Sequence, residues 1–267
     1  MEVYIYISLF ILGLCFGSFF NVVGLRLSAG QSIHKPRSHC PKCGHVLSWY
    51  ELIPVFSYIF LGGKCRNCKS HISPKYLIFE LLTGILFMLS YFVFGYSGEL
   101  LVSVFFVSLF VIICVSDLEY MLIEDSVIIF FLIFIIILRL IFKIPEDFIT
   151  FNLHPYLETL LGGIFGFGLL FSIAIIGKKI YKQDAMGGGD IKLYGIIGLV
   201  LGFKLTFMSL FLASIIGSII GLSLTLLRII QKGTPIPFGP FIAVGSLIAY
   251  FIGPDLINWY LNLLFNM

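Results

Sequence analysis

Charged residues are scarce in this 267-residue chain: they make up 12% of the sequence, whereas hydrophobic residues make up 59%. Such a composition, with repeated apolar runs as long as a membrane span, is typical of an integral membrane protein and excludes an ordinary water-soluble one. The apolar runs also lack the period-2 alternation of a membrane β-barrel. Because backbone groups in lipid must satisfy one another, we expect the runs to be membrane-spanning α-helices.

Two further absences narrow the interpretation. The first residues, Met1-Glu2-Val3, carry no basic region, and no small-residue cleavage pattern follows them. We therefore expect the first apolar run to be a retained helix rather than a signal peptide. The sequence also contains no internal repeat. Since many transporters are built from repeated halves, this absence argues against a transporter.

The apolar runs predict eight membrane spans and therefore an all-α polytopic membrane protein. Their approximate bounds are 4–25, 76–95, 100–116, 126–143, 157–177, 191–203, 205–227 and 240–258. The run at 191–203 is shorter than the roughly 20 residues of a full span, so we expect a tilted or half-buried helix there. An even number of crossings places both termini on the same side of the membrane.

The distribution of positive charge orients the chain. Of the 17 Lys and Arg residues, only Arg139, Lys143 and Lys204 fall on the side that carries the termini. Cytoplasmic loops of membrane proteins are enriched in Lys and Arg. We therefore predict a multi-pass protein with both termini outside and with the segment 26–75 on the cytoplasmic side.

The segment 26–75 differs from the rest because it is polar, basic and rich in Pro, Gly and Cys. It divides the chain into a first transmembrane helix (1–25), a cytoplasmic loop domain (26–75) and a larger transmembrane domain (76–267). Its positive charge could suggest binding to nucleic acid, but a loop beside a membrane is basic for reasons of topology and lipid contact. We therefore predict membrane lipid, and no nucleic acid, as its partner.

Four cysteines in this loop form two Cys-x-x-Cys pairs, Cys40 with Cys43 and Cys65 with Cys68. Each pair lets two thiolates hold one ion from a tight turn. Two pairs complete the tetrahedral four-thiolate site that Zn²⁺ favours, so we predict a structural zinc site like that of a zinc ribbon. Disulfides or redox pairs are the alternative, which a reducing cytosol disfavours.

Other residues in the loop bear on this zinc site. Gly44 and Asn67 suit the two turns that the pairs require. His39, His45 and His71 are possible alternative ligands, although we interpret them as solvated surface histidines. The predicted ligands therefore remain the four cysteines.

Two aspartates lie at the cytoplasmic ends of predicted spans. Asp117 follows the run LLVSVFFVSLFVIICVS, and Asp190 closes GGGD before IKLYG. Either acid alone could simply cap a helix. Two acids on different helices at one face favour a catalytic pair instead, in which two carboxylates at close range share one proton.

A pair of this kind can hydrolyse a peptide bond without a covalent intermediate. The ionised member takes a proton from water while the protonated member polarises the scissile carbonyl. Because they lack a side chain, Gly187, Gly188 and Gly189 let a substrate backbone approach closely and unwind the chain before Asp190. We therefore predict these glycines as substrate-positioning residues.

The positions of the two acids also suggest which role each one takes. Asp190 begins a helix, where the helix dipole stabilises negative charge, whereas Asp117 ends one, where the dipole opposes it. We therefore expect Asp190 to be the ionised base and Asp117 to be the acid.

Five motifs in chain order resemble the type IV prepilin peptidases, also called leader peptidase/N-methyltransferases, which are relatives of the presenilin-type GxGD aspartyl proteases. The motifs are GSFFNVVGLRL (17–27), the cysteine loop ending at Glu80, DLEYMLIED (117–125), GGGDIKL (187–193) and PFGPFIA (237–243). Together they cover nearly the whole chain. This set of motifs is far more specific than a lone GxGD sequence would be.

The resemblance implies an enzyme of the bacterial inner membrane that removes the basic leader from type IV pilin-like precursors. The family cleaves after a Gly and then methylates the new N-terminus with S-adenosylmethionine. By position, Asp117 and Asp190 would be the proteolytic pair, the four loop cysteines would be the metal site, and the loop 26–75 with GSFFNVV would serve methyl transfer. The precursors that are cut, the process they serve, the oligomeric state and the methyl-donor site stay open.

Some motif residues also have simpler interpretations. Pro237 and Gly239, which we predict to position substrate, would equally make a rigid turn before the last helix. Small residues in GSFFNVV allow close helix packing, with Asn21 as a hydrogen-bonding residue between helices. Glu124 stands where the family usually has Pro, which changes the stiffness of the loop but not the chemistry.

The function alternative to a peptidase is a non-catalytic membrane scaffold, or a transporter, with a zinc-stabilised loop. Paired acids could also serve ion or proton transport. Asp→Asn substitutions separate these classes because they would stop a protease and leave a scaffold working.

Overall fold

A computed structural model describes residues 2–150, 153–182, 186–231 and 234–265. One basic residue that we assigned to the cytoplasmic side, Lys232, lies outside these ranges. The described part contains eight α-helices: α1 (Glu2–Ser28), α2 (Phe56–Phe60), α3 (Lys75–Phe94), α4 (Gly98–Tyr120), α5 (Asp125–Ile141), α6 (Pro155–Tyr181), α7 (Gly188–Leu226) and α8 (Gly239–Phe265). The predicted all-α polytopic class is confirmed.

Six helices of the described chain are long and apolar enough to cross a membrane: α1, α3, α4, α6, α7 and α8. The predicted span at 126–143 corresponds to α5, which has 17 residues. The two predicted spans at 191–203 and 205–227 both lie in α7, which has 39 residues. The sequence therefore located the apolar segments correctly.

The long helix α7 reverses direction at one residue. Gly202 has φ 70° and ψ −176°, a conformation that residues with a side chain rarely adopt. Gly166 on α6 packs against both Tyr194 and Thr206, which a straight helix would hold about 18 Å apart. The two halves of α7 therefore lie side by side, as two separate predicted spans require.

The reversal point is stabilised from α6. Glu158 is fully buried, and its Oε1 accepts a hydrogen bond of 3.3 Å from the backbone N–H of Phe203. This N–H begins the second half of α7, where no helical carbonyl is available to it. The carboxylate thus acts as the N-terminal cap of that half.

The centre of the bundle is α4. It packs against α1, α3, α5 and α8, and its side chains Phe106, Leu109, Phe110 and Ile113 are almost fully buried. On α1, Gly17 lies directly on the backbone of Glu80 in α3, so the two helices approach closely.

Asn21 strengthens the packing of α1 on α3. Its Nδ2 donates a hydrogen bond of 3.3 Å to the carbonyl of Tyr76. The packing interpretation of GSFFNVV therefore agrees with the structure.

A buried ion pair joins four helices at the opposite end from the cysteine loop. Arg139 on α5 donates to both carboxylate oxygens of Glu99 on α4, at 2.5 and 2.9 Å. The same guanidinium reaches the carbonyl of Val200, and Tyr250 donates to Glu99 at 2.5 Å. Arg139, which we assigned to the outer side, is thus a buried structural residue.

Candidate active site and metal centre

Asp117 and Asp190 are brought together at the cysteine-loop end of the bundle. Asp117 lies in the last turn of α4 and is only 6% exposed, whereas Asp190 lies half-buried in the first turn of α7. The charge of Asp117 is close enough to act on the carboxyl group of Asp190. The two acids, which lie in distant segments of the chain and which the sequence predicted to act as a pair, therefore lie at one site.

Asp117 receives a hydrogen bond from the start of α8. The backbone N–H of Gly239 donates to Asp117 Oδ2 over 2.7 Å. Gly239 is the first residue of α8, so its N–H has no carbonyl partner inside that helix. The prediction that Gly239 contacts the substrate is untested, but the structure gives it a direct contact with an acid.

This contact removes the basis on which the sequence assigned different roles to the two acids. Asp117 does end its own helix, but the N-terminus of α8 also points at it, and Asp190 lies in the first turn of α7. Each carboxylate therefore lies near the positive end of one helix dipole. The dipole argument made from sequence does not distinguish acid from base.

The glycines before Asp190 are less unwound than the sequence suggested. Gly187 is the non-helical residue that precedes α7, whereas Gly188 and Gly189 already belong to the helix. A methyl group on Gly189 would come within 2.7 Å of Ile123, while one on Gly188 would meet nothing within 4 Å. Gly189 thus allows close packing, and Gly188 leaves an open, exposed surface beside Asp190.

An ion pair connects the segment after Asp117 with the helix that carries Asp190. Lys192 donates to both carboxylate oxygens of Asp125, at 2.6 and 2.8 Å. Asp125 begins α5 directly after Glu124, whose backbone is extended. The ion pair and the contact of Ile123 with Gly189 both pack the segment between α4 and α5 against the first turns of α7.

Two other acids near this end have local partners. Glu119 pairs with Lys75 at 2.9 Å, which joins α4 to α3. Glu51 is buried, and its Oε2 accepts from the backbone N–H of Ser48 at 2.8 Å and contacts His45 at 3.2 Å. The hydrogen bond from Ser48 is the main reason why the pKa of Glu51 lies below its usual value.

The four loop cysteines form one cluster whose sulfur atoms all lie within 4.8 Å of one another. The Sγ atoms of Cys40 and Cys68 are 3.8 Å apart, and those of Cys43 and Cys65 are 3.9 Å apart. Four sulfurs placed tetrahedrally about 2.3 Å from a zinc ion would be separated by about 3.8 Å. The cluster therefore fits a four-thiolate metal site.

Two equivalent turns build this cluster. In each turn the backbone carbonyl of the first cysteine accepts a hydrogen bond from the backbone N–H four residues later. Gly44 donates to Cys40 over 2.9 Å, and Lys69 donates to Cys65 over 3.0 Å. Gly44 and Lys69 both have positive φ. The second turn thus places Lys69 in the left-handed conformation that Gly44 adopts in the first turn.

The turns also adjust the chemistry of the thiols. Backbone N–H groups of Lys42 and Cys43 lower the pKa of the Cys40 thiol to about 6. A thiolate is the form that binds a metal ion. Among the described residues no histidine belongs to the cluster, and His45 contacts Glu51 instead.

Sequence reasoning missed the contacts that depend on distant segments. They are the N–H of Gly239 at Asp117, the pair of Lys192 with Asp125, and the pair of Arg139 with Glu99. The one available signal was the rarity of charge, because an isolated Glu or Arg inside an apolar run needs a partner.

Two family models match the chain. The bacterial peptidase A24 N-terminal domain matches residues 11–94, and the type IV leader peptidase family matches residues 104–222. The first match contains α3 and the cysteine loop, and the second contains both Asp117 and Asp190. No solved structure matches the chain.

Several relatives match over almost their full length. A prepilin leader peptidase/N-methyltransferase from Bacillus subtilis is 40% identical over 96% of this chain and 97% of its own length. A protein of the same name from Pseudomonas aeruginosa is 30% identical over 94% of this chain and 92% of its own length.

Proposed function

This chain belongs to the type IV leader peptidase family, and we propose that it cleaves the leader peptide of type IV prepilins and pilin-like precursors. Asp117 and Asp190 would form the catalytic pair. The observation that carries this proposal is that two acids, 73 positions apart in the numbering, share one partly buried site at one end of a membrane bundle.

The pair would work by activating water. One carboxylate, in its ionised form, takes a proton from a water molecule, and the resulting hydroxide attacks the scissile carbonyl carbon. The other carboxyl group donates its proton to the carbonyl oxygen. When the tetrahedral intermediate collapses, the C–N bond breaks and the leaving amine takes up the proton that the first carboxylate had removed from water. The former carbonyl oxygen returns its proton to the second carboxylate as the C=O bond forms again. The low polarity around Asp117 favours sharing of one proton between the two groups.

The hydrogen bond from Gly239 would hold the Asp117 carboxylate in place during this cycle. With Oδ2 engaged by the backbone, Oδ1 is left to face water or the substrate. The exposed surface at Gly188 beside Asp190 would admit an extended substrate backbone. We retain Gly187, Gly188, Gly189, Pro237 and Gly239 as proposed substrate-positioning residues.

We further propose that the cysteine-loop end faces the cytoplasm of the inner membrane and that both termini lie outside. The excess of Lys and Arg at this end supports the orientation. It places the catalytic pair on the side where the basic leader of a precursor resides. The loop domain 26–75 would be held by a structural Zn²⁺ ion, which would bind Cys40, Cys43, Cys65 and Cys68.

The second proposed activity is methylation of the new N-terminus, for which S-adenosylmethionine would supply the methyl group. The N-terminal family match at residues 11–94 contains neither Asp117 nor Asp190. We therefore propose that the methyl transfer depends on this part of the chain, apart from the proteolytic pair.

A reconstituted processing assay tests both activities. Vesicles with the protein receive a prepilin and S-adenosylmethionine, and intact mass spectrometry follows the product. The wild type should yield a pilin that lacks the leader and carries one added methyl group, whereas Asp117→Asn and Asp190→Asn should leave the precursor uncut.

A matched control is Asp255→Asn, the same change at an exposed aspartate of α8. This variant should process the prepilin like the wild type. Cleavage that persists in Asp117→Asn or Asp190→Asn would refute the catalytic pair, and cleavage without methylation in the wild type would refute only the second activity.

A further inference from the structure

The cysteine loop contains an exposed apolar stretch that neither the catalytic pair nor the metal site uses. We call residues 49–60 the aromatic segment; it consists of a short 3-10 turn (Trp49–Leu52) followed by α2. Its side chains are strongly exposed: Trp49 by 74%, Phe56 by 57%, Ile59 by 62% and Phe60 by 84%. A water-facing loop would not present so many large apolar groups together.

The aromatic segment is fixed to the side of the transmembrane bundle. The backbone N–H of Val55, between the 3-10 turn and α2, donates to Glu80 Oε2 over 2.7 Å. Glu80 is buried and lies five residues after the start of α3. The segment is therefore bound to the interior of the membrane-spanning helix α3, beyond its first turn, as well as to the rest of the cysteine loop.

Helix packing gives the depth of this attachment. Gly17 on α1 lies against Glu80, and Gly24 on the same helix lies against Val115, two residues before Asp117. Seven residues of α-helix separate the two contacts, which corresponds to about 10 Å. Glu80 thus lies about 10 Å further into the bundle than the level of Val115, toward the middle of the membrane.

Exposed aromatic groups of a segment attached there lie close to lipid. Trp and Tyr side chains are enriched where a membrane meets water, because their rings are apolar and their N–H or O–H groups remain hydrated. In the aromatic segment Tyr50 has such an arrangement, since its hydroxyl accepts from Arg66 and its ring lies beneath that guanidinium. Arg66 and its basic neighbours in the loop are placed to contact anionic headgroups.

We propose that the aromatic segment is inserted in the cytoplasmic lipid interface, with Trp49, Phe56, Ile59 and Phe60 among the acyl chains near the headgroups. The partner is the bilayer itself. This insertion fixes the metal-binding turns at the membrane surface beside the catalytic end, and it is independent of whether the protein cleaves prepilins.

Tryptophan fluorescence tests the proposal directly, because the chain has only two tryptophans. In the variant Trp259→Phe, Trp49 is the sole reporter. The protein is placed in phosphatidylcholine and phosphatidylglycerol vesicles whose acyl chains are brominated near the headgroup. For an indole at the interface we expect the emission to fall about twofold or more against unbrominated vesicles, with little quenching by acrylamide in the water.

The reciprocal variant Trp49→Phe is the matched control. It retains Trp259, which is 63% exposed on the apolar helix α8 and should also be quenched by brominated lipid. If Trp259→Phe folds poorly, the difference between wild type and Trp49→Phe yields the same quantity for Trp49.

Two results would overturn the proposal. Quenching of Trp49 by acrylamide but not by brominated lipid would place the segment in water. Protection of Trp49 from both quenchers would mean that protein covers it, either from a second copy or from a rearranged loop.

Discussion

The backbone N–H of Gly239 lies 2.7 Å from Asp117 Oδ2, although 122 positions separate the two residues in the chain. The contact joins the end of α4 to the beginning of α8 and orients one carboxylate of the proposed catalytic pair. It also explains why a glycine occupies this position. A methyl group on Gly239 would come within 2.8 Å of the same oxygen and within 3.1 Å of Ile113.

Gly239→Ala should therefore reduce cleavage by displacing Asp117. Relief of the clash requires a shift of α8 or of the carboxylate, with an expected destabilisation of about 1–3 kcal/mol. We expect a lower kcat for prepilin cleavage together with a modest fall in melting temperature. A variant that cleaves at the wild-type rate would show that the Gly239 contact does not matter for catalysis.

Gly188→Ala is the matched comparison at the other acid. A methyl group there meets nothing within 4 Å, so the melting temperature should not fall. If Gly188 faces the substrate backbone as proposed, KM for the prepilin should rise while the fold is intact. Unchanged kinetics in this variant would remove Gly188 from the substrate-positioning residues.

The ion pair of Lys192 with Asp125 should matter modestly, and reversal of its charges should restore it. Both side chains are largely exposed, so the pair contributes about 0–1 kcal/mol. Lys192→Met and Asp125→Asn should each slow cleavage by no more than about fivefold, which corresponds to about 1 kcal/mol. The double variant Asp125→Lys/Lys192→Asp should recover activity; if it is slower than both single variants, the residues act separately.

The cysteine cluster should bind one zinc ion per chain. Cys65→Ser removes a buried ligand and should abolish the bound zinc measured by elemental analysis of the purified protein. Cys15→Ser changes a cysteine outside the cluster and should retain the metal. Full zinc content in Cys65→Ser, or none in the wild type, would contradict the assigned metal centre.

The buried pair of Arg139 with Glu99 should dominate stability at the opposite end of the bundle. Both side chains are at least nine-tenths buried. Glu99→Ala leaves an unpaired guanidinium in the interior and should cost about 3–5 kcal/mol. The double variant Glu99→Leu/Arg139→Met should unfold at a higher temperature than Glu99→Ala. A Glu99→Ala protein as stable as the wild type would show that the charge finds another partner.

Features encoded by neighbouring residues were predictable from the sequence. The cysteine pairs lie within short turns, and the apolar runs define the helices, so the metal cluster and the spans follow from local patterns. The joint location of Asp117 and Asp190 also followed, because acids at the same ends of predicted spans must lie at one face of the bundle.

Features that depend on distant packing were not predictable. The break between the predicted spans 191–203 and 205–227 agrees with the reversal at Gly202, but the carboxylate of Glu158 that caps the second half of α7 comes from α6 and has no local signal in the sequence. The role argument from helix dipoles failed because the N-terminus of α8 approaches Asp117 from a distant segment. Lys69 has a positive φ because it occupies the position in the second turn that Gly44 occupies in the first. The geometry of the turn therefore outweighs the usual preference for glycine at a positive φ.

The central claim is that Asp117 and Asp190 act as one unit, and cleavage rates of single and double variants test it most directly. The prepilin cleavage rate should be measured in vesicles for the wild type, Asp117→Asn, Asp190→Asn and the double variant. Since residues of one catalytic unit are strongly non-additive, each single substitution should reduce the rate as far as the double one does. Measurable cleavage in either single variant, with a further loss in the double variant, would contradict the shared role of the two acids.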